Sequence, residues 1–216
     1  MLRTLGGPLG FGSALVAIGD DNSSAAIPLA GTFPGGLDFY GASYTTAFVN
    51  NNGNVSFGAA MGAYAPLLSS AVSPVVAAWW GDVDTRGAGR PGRNNVQWYT
   101  DGSRLVATWH LVGFFNSDDA LQNSFQLILT HRSDVSAGDF DVELRYEQCQ
   151  WTTGDASGGT RGLGGMSASA GISSGNGVDV FELPGSRTMA ILDLCATSNV
   201  GLRGVWRYRM RDGRPM

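Results

Sequence analysis

Apolar and polar residues alternate in short runs along most of this chain, and turn residues separate the runs. The clearest run is residues 139–149, DFDVELRYEQC. Phe140, Val142, Leu144 and Tyr146 fall on one side and Asp141, Glu143, Arg145 and Glu147 on the other. A period of two predicts a strand with one face in the core and one in water. Residues 123–132, NSFQLILTHR, are mostly apolar and predict a strand buried on both faces. In residues 44–58, YTTAFVNNNGNVSFG, Asn52-Gly53 sits between two such runs and predicts a hairpin with a type I′ turn. A second hairpin spans residues 94–112 and turns at Asp101-Gly102.

Further short runs at residues 167–173, 177–184 and 204–210 read as strands, and the Gly/Ser/Thr-rich stretch 153–167 as a loop. Only residues 186–197, SRTMAILDLCAT, have room for a helix. The pattern therefore predicts an all-β fold, an antiparallel β-sandwich of about ten strands with at most one short helix. Residues 1–30 are expected to be an irregular extension packing on the domain. The sandwich then occupies 31–210, and 211–216 form a tail.

Composition agrees and removes several chemistries. Asp outnumbers Glu 15 to 3, and Asp favours turns over helices. All 14 basic residues are Arg, so neither a Walker A phosphate loop nor a Schiff-base lysine is encoded. A net charge of −4 gives no support for a nucleic-acid partner. The arginines at 203, 207, 209, 211 and 214 read as the polar face of a last strand. No run of 18 apolar residues exists to span a membrane. The opening MLRTLGGPLG lacks the apolar core of a signal peptide, which leaves the expectation of a piece of a longer exported protein or a misplaced start. The even cysteine count fits one disulfide, Cys149 to Cys195, worth roughly 3–4 kcal/mol on the chain-entropy model; two unpaired thiols are the alternative. No CxxC or Cys/His cluster indicates zinc.

Six blocks, in order, resemble the nidogen-like (NIDO) domain, with extensions like those of its secreted bacterial members. They are FVNNNGNVSFG, SPVVAAWWGDVD, LVATWHLVGFF, NSFQLIL, LRYEQCQWTTG and ASAGIS. The resemblance implies an extracellular or cell-surface module associated with cell–matrix adhesion. Its partners would be a matrix or cell-surface protein or a glycan, and it implies no catalytic residues. The alternatives are a carbohydrate-active hydrolase using Asp82 and Asp84, and a purely structural surface domain.

The chemical candidates centre on PVVAAWWGDVDT, residues 74–85. Its two aspartates admit three readings. Paired carboxylates suit glycoside hydrolysis. Asp82 and Asp84 with Asp20 and Asp21 offer hard oxygen ligands to calcium, although Arg86 and Arg93 break an EF-hand pattern. The third reading, which we favour, is structural: aspartates at a strand end accept backbone N–H bonds and shape the loop through Arg93. Trp79 and Trp80 are adjacent and face opposite ways, so one is a candidate ligand-facing ring. GISSG at residues 171–175 matches the hydrolase elbow, but the segment after it is not helical, and both His110 and His131 precede the serine.

Overall fold

The computed structural model describes residues 1–87 and 92–216. In chain order the strands are β1 (Ala14–Leu15), β2 (Ile27–Pro28), β3 (Leu37–Phe39), β4 (Ala42–Tyr44), β5 (Thr46–Asn50), β6 (Asn54–Phe57), β7 (Val75–Trp80) and β8 (Val83–Asp84). They continue as β9 (Asn95–Thr100), β10 (Arg104–Phe114), β11 (Asp118–His131), β12 (Phe140–Gln148), β13 (Ser169–Ser173), β14 (Val180–Glu182), β15 (Val205–Arg211) and β16 (Arg214–Pro215). The larger sheet runs β1-β9-β10-β11-β12-β15-β16, with β8 added beside β10. The smaller runs β14-β13-β7-β6-β5-β2, and β3-β4 form a separate hairpin. All the strand pairings are antiparallel, so the predicted all-β sandwich is the fold.

The sheets meet over an aromatic core. Trp79 of β7 packs against Phe125, Tyr146 and Trp151 at centroid distances of 6.2, 6.2 and 6.4 Å. Two buried polar tips tie the layers together. Tyr146 Oη donates to Ala78 O at 2.9 Å, and Trp109 Nε1 donates to Asn51 O at 2.9 Å. A buried phenol or indole usually finds such a partner, and for these two the partner belongs to the opposite layer.

β12 alternates as its sequence predicts, with Phe140, Val142, Leu144 and Tyr146 buried. Residues 123–129 of β11 are buried on both faces because residues 1–12 cross the outer side of the larger sheet. There Gln126 exchanges hydrogen bonds with the backbone of Arg3, and Phe11 packs on His110 at 4.8 Å. Within residues 1–30, β1 pairs with β9 and β2 with β5. The single helical expectation corresponds to a 3-10 segment at Met189–Cys195, capped by Thr188, whose hydroxyl accepts from Ala190 N at 3.2 Å. Cys149 and Cys195 form a disulfide with 6.1 Å between Cα atoms, fastening that segment to the end of β12.

The Asn52-Gly53 turn differs from the type I′ expectation. Asn50 pairs with Asn54, which leaves a three-residue loop, and only Gly53 has positive φ, at 82°. The reason is tertiary. A Cβ on Gly53 would lie 1.8 Å from Trp79 O, so β7 approaches the bare backbone there. Asn51 and Asn52 turn their amides toward neighbouring backbone instead.

Candidate functional site

β7 carries six consecutive buried residues and ends at Trp80, followed by Gly81. Asp82 comes next, and β8 then pairs with the end of β10. Both carboxylates therefore emerge inside a corner walled by the 19–22 loop, the 51–53 loop and the start of β11. Asp82 is 3% exposed and Asp84 is fully buried.

Asp84 is saturated. It accepts from Arg86 N at 2.8 Å, from Arg86 Nε and Nη2 at 3.0 and 2.7 Å, and from Ser117 N at 2.8 Å. Burial by itself would raise its pKa, but the bonds from Arg86 and Ser117 hold it below the usual carboxylate range. Arg86 also reaches Asp20 Oδ2 at 2.7 Å and lies 5.8 Å over the Phe115 ring.

Asp82 is different. Its Oδ2 is buried without a hydrogen-bond partner among the described residues, and Gly154 closes over it. Burial first, then the charges of Asp21, Asp20 and Asp84, push its pKa up to about 7. The expectation that both aspartates accept backbone N–H bonds thus holds for Asp84 and fails for Asp82. What Asp82 does supply is backbone: its carbonyl accepts from Phe115 N at 2.9 Å.

Asn51, Asn52 and Thr85 complete the corner. Asn51 Nδ2 donates to Asp20 O at 2.6 Å and Val83 O at 2.5 Å. Asn52 Nδ2 donates to Asp21 Oδ1 at 2.8 Å, while its Oδ1 accepts from Val83 N at 3.0 Å. Thr85 Oγ1 donates to Gly19 O at 2.8 Å. Asp20, Asp21, Asp82 and Asp84 are therefore brought into one neighbourhood. Among the described residues, however, no three acidic, His or Cys side chains converge as metal ligands. The loop expected to run through Arg93 falls partly on residues 88–91, outside the described residues.

The ligand-facing ring expected of Trp79 or Trp80 is not found. Trp79 lies in the core between the sheets, and Trp80 is only 2% exposed. The smaller sheet's outer face is covered by residues 59–71, and Trp80 Nε1 donates to Ala63 O there at 2.7 Å. Nothing in the alternating pattern announces that cover. The GISSG serine, Ser173, ends β13 and turns into β14, with no helix after it. His110 bonds Gly92 O and His131 bonds Ser133 Oγ, so neither histidine serves that serine.

Pattern reading missed a concavity of about 640 Å³ on the outer face of β12 and β15, where Arg3, Arg132, Arg207 and Arg209 all line the wall. The alternation in residues 204–210 was the available signal for Arg207 and Arg209. Arg3 and Arg132 come from distant parts of the chain.

The nidogen-like domain family model matches residues 45–93 and 90–212. Human alpha-tectorin is 34% identical over 221 residues, covering 90% of this chain, and chicken alpha-tectorin is 32% identical over 220 residues. Dendrite extension defective protein 1 of Caenorhabditis elegans is 23% identical over 199 residues, covering 82% of this chain. The chain spans 10% of the length of the alpha-tectorins and 16% of the nematode protein. No solved structure matches it. The chain belongs to the nidogen-like domain family.

Proposed function

We propose that this domain is an extracellular, non-catalytic binding module, one part of a longer exported protein, that adheres to a matrix or cell-surface protein or glycan. The observation that carries the reading is family membership across most of the chain, including the alignment with alpha-tectorin over 90% of it. The state of the carboxylates supports it. A glycosidase needs two accessible carboxyl groups flanking a substrate, whereas Asp84 is fully buried and engaged by Arg86 and Ser117. Asp82 is nearly as deep. Two assays on the purified domain test the reading. We expect saturable retention on immobilised extracellular matrix or intact cells, and no turnover of ester, peptide or glycoside panels. Hydrolysis abolished by Asp82→Asn would favour the hydrolase. Absence of any retention would favour a purely structural surface domain.

A further inference from the structure

The outer face of the larger sheet carries an ionic arrangement that the sandwich itself does not require. Glu143 on β12 is 8% exposed and takes three guanidiniums: Arg3 Nη2 at 2.9 Å, Arg145 Nε at 2.5 Å and Arg207 Nε at 2.6 Å. Asp141, two residues away on the same face, gives one oxygen to Arg132 at 2.8 Å and the other to Arg211 at 2.6 Å. Arg209 stands directly across from Asp141 in the β12–β15 register. Both oxygens of that aspartate are already taken, and Arg209 has no acidic partner among the described residues. It is exposed.

In the concavity itself four guanidiniums, those of Arg3, Arg132, Arg207 and Arg209, stand with two carboxylate side chains, Asp141 and Glu143. The chain as a whole carries a net charge of −4. A local cationic excess on an acidic protein, set in a concavity of about 640 Å³, is a focused positive field. Arg207 and Arg209 project from the same side of one strand, roughly 7 Å apart. Guanidiniums so spaced take sulfate or carboxylate groups in paired N–H···O bonds.

We infer that this concavity binds an anionic polysaccharide, whose sulfate or carboxylate groups pair with Arg209, Arg207 and Arg3. An acidic peptide added as a strand fits less well, because β16 pairs with Met210 and Arg211 at the edge of β15 and the Asn199 side chain takes the backbone N–H and C=O of Arg207. The inference deepens the binding-module reading and rests on it.

The test measures binding of a heparin-derived dodecasaccharide to the full chain by titration calorimetry in 0.15 M NaCl. A hyaluronan oligosaccharide, neutral dextran and poly-glutamate are run beside it. Wild type should bind the heparin fragment, with affinity falling as salt rises. Arg209→Glu should weaken it at least tenfold with an unchanged circular dichroism spectrum and thermal midpoint. The control Arg161→Glu, an equal charge change at an exposed arginine outside the concavity, should change it less than twofold. Hyaluronan binding that is lost in Arg209→Glu would also support the site and identify carboxylate as its anion. Equal weakening by the two variants, no binding of either glycan, or tighter binding of poly-glutamate would overturn it. Adhesion to matrix that survives glycosidase digestion would overturn this site and leave the module reading standing. Arg209-dependent glycan binding without retention on matrix would support the site and the binding-module reading and exclude only the matrix as the source of the glycan.

Discussion

Two regions of this domain are built from the same side chains, aspartate or glutamate with arginine, and put them to opposite uses. At the β7–β8 corner the acids are inside. Asp84 is fully buried, Asp82 is 3% exposed, and Arg86 is the cation that pairs with Asp84. On the β12–β15 face the arginines are outside, with Arg207 and Arg3 side chains 50% and 39% exposed around a single buried glutamate. In the corner, a lost partner leaves a desolvated donor or charge with nowhere to go. On the face, water and salt replace most of what is lost. The residues that stand out most as chemistry in the sequence, the paired aspartates, are therefore withdrawn from solvent. The repetitive arginines of the last strand are the accessible groups.

The strongest way to break this contrast is Asp84→Ala. It strands the N–H groups of Ser117 and Arg86 and frees Arg86 from its anchor. We expect a loss of about 2–4 kcal/mol in urea unfolding at pH 7. A loss under about 0.5 kcal/mol would mean the corner is as forgiving as the surface.

Asp82→Asn should act in the other direction. The carboxyl, with its pKa near 7 in the fold, binds a proton more tightly there than in the unfolded chain. Below about pH 4 both states are protonated and nothing is lost. As pH rises from there through 7, the unfolded chain releases its proton first, so stability falls, and it levels off above 7. Asparagine carries no such charge. The variant should be more stable than wild type by about 1–3 kcal/mol at pH 8 and nearly equal to it at pH 4. Thermal midpoints at the two pH values decide this, and a destabilised variant at pH 8 would show that the buried carboxylate has a partner.

Glu143→Gln sharpens the comparison from the exposed side. Burial opposes the Glu143 charge, but bonds from Arg145 and Arg207 and the charge of Arg3 prevail and hold its pKa below the ordinary value. Its contribution is therefore present above the unfolded pKa and lost as pH falls through the lower folded one, the opposite slope to Asp82. We expect a cost of about 1 kcal/mol at pH 7 that shrinks in 1 M NaCl, read from denaturation midpoints at the two salt concentrations.

Much of the architecture was legible because local pattern and tertiary outcome agree. The alternation of β12 and the apolar run of β11 each state how many faces are buried. What escaped was set by segments far off in the chain. Trp79 and Trp80 face opposite ways, so one of them was expected to look outward; that one is Trp80, and residues 59–71 fold over it. The Asn52-Gly53 dipeptide signals a two-residue turn, but β7 presses against Gly53 and the asparagines serve as internal linkers. Asp82 and Asp84 look equivalent from their spacing. Only the position of Ser117 and the bend to Arg86 separate a saturated carboxylate from an orphaned one. The cationic concavity needs Arg3 and Arg132 beside β15, a juxtaposition that no local pattern contains.

The smallest expected effect concerns calcium, the one cation that Asp20, Asp21, Asp82 and Asp84 suggest. A calcium site takes six to eight oxygens, usually several of them carboxylate. At this corner Asp84 already has Arg86 and Ser117, Asp20 is paired with the same guanidinium, and Asp21 accepts from Asn52. Binding would require the cation to displace the Arg86 guanidinium, which would lose its two bonds to the buried Asp84 carboxylate and its pairing with Asp20. One unpaired oxygen on Asp82 does not offset that. We therefore expect millimolar calcium or a chelator to move the thermal midpoint by less than about 1 °C, because a ligand stabilises a fold only as far as it binds it. A larger rise with calcium, erased in the Asp82→Asn, Asp84→Asn double variant, would show that Arg86 swings away and the corner opens. In that case the contrast between a sealed acidic corner and an open basic face would no longer stand.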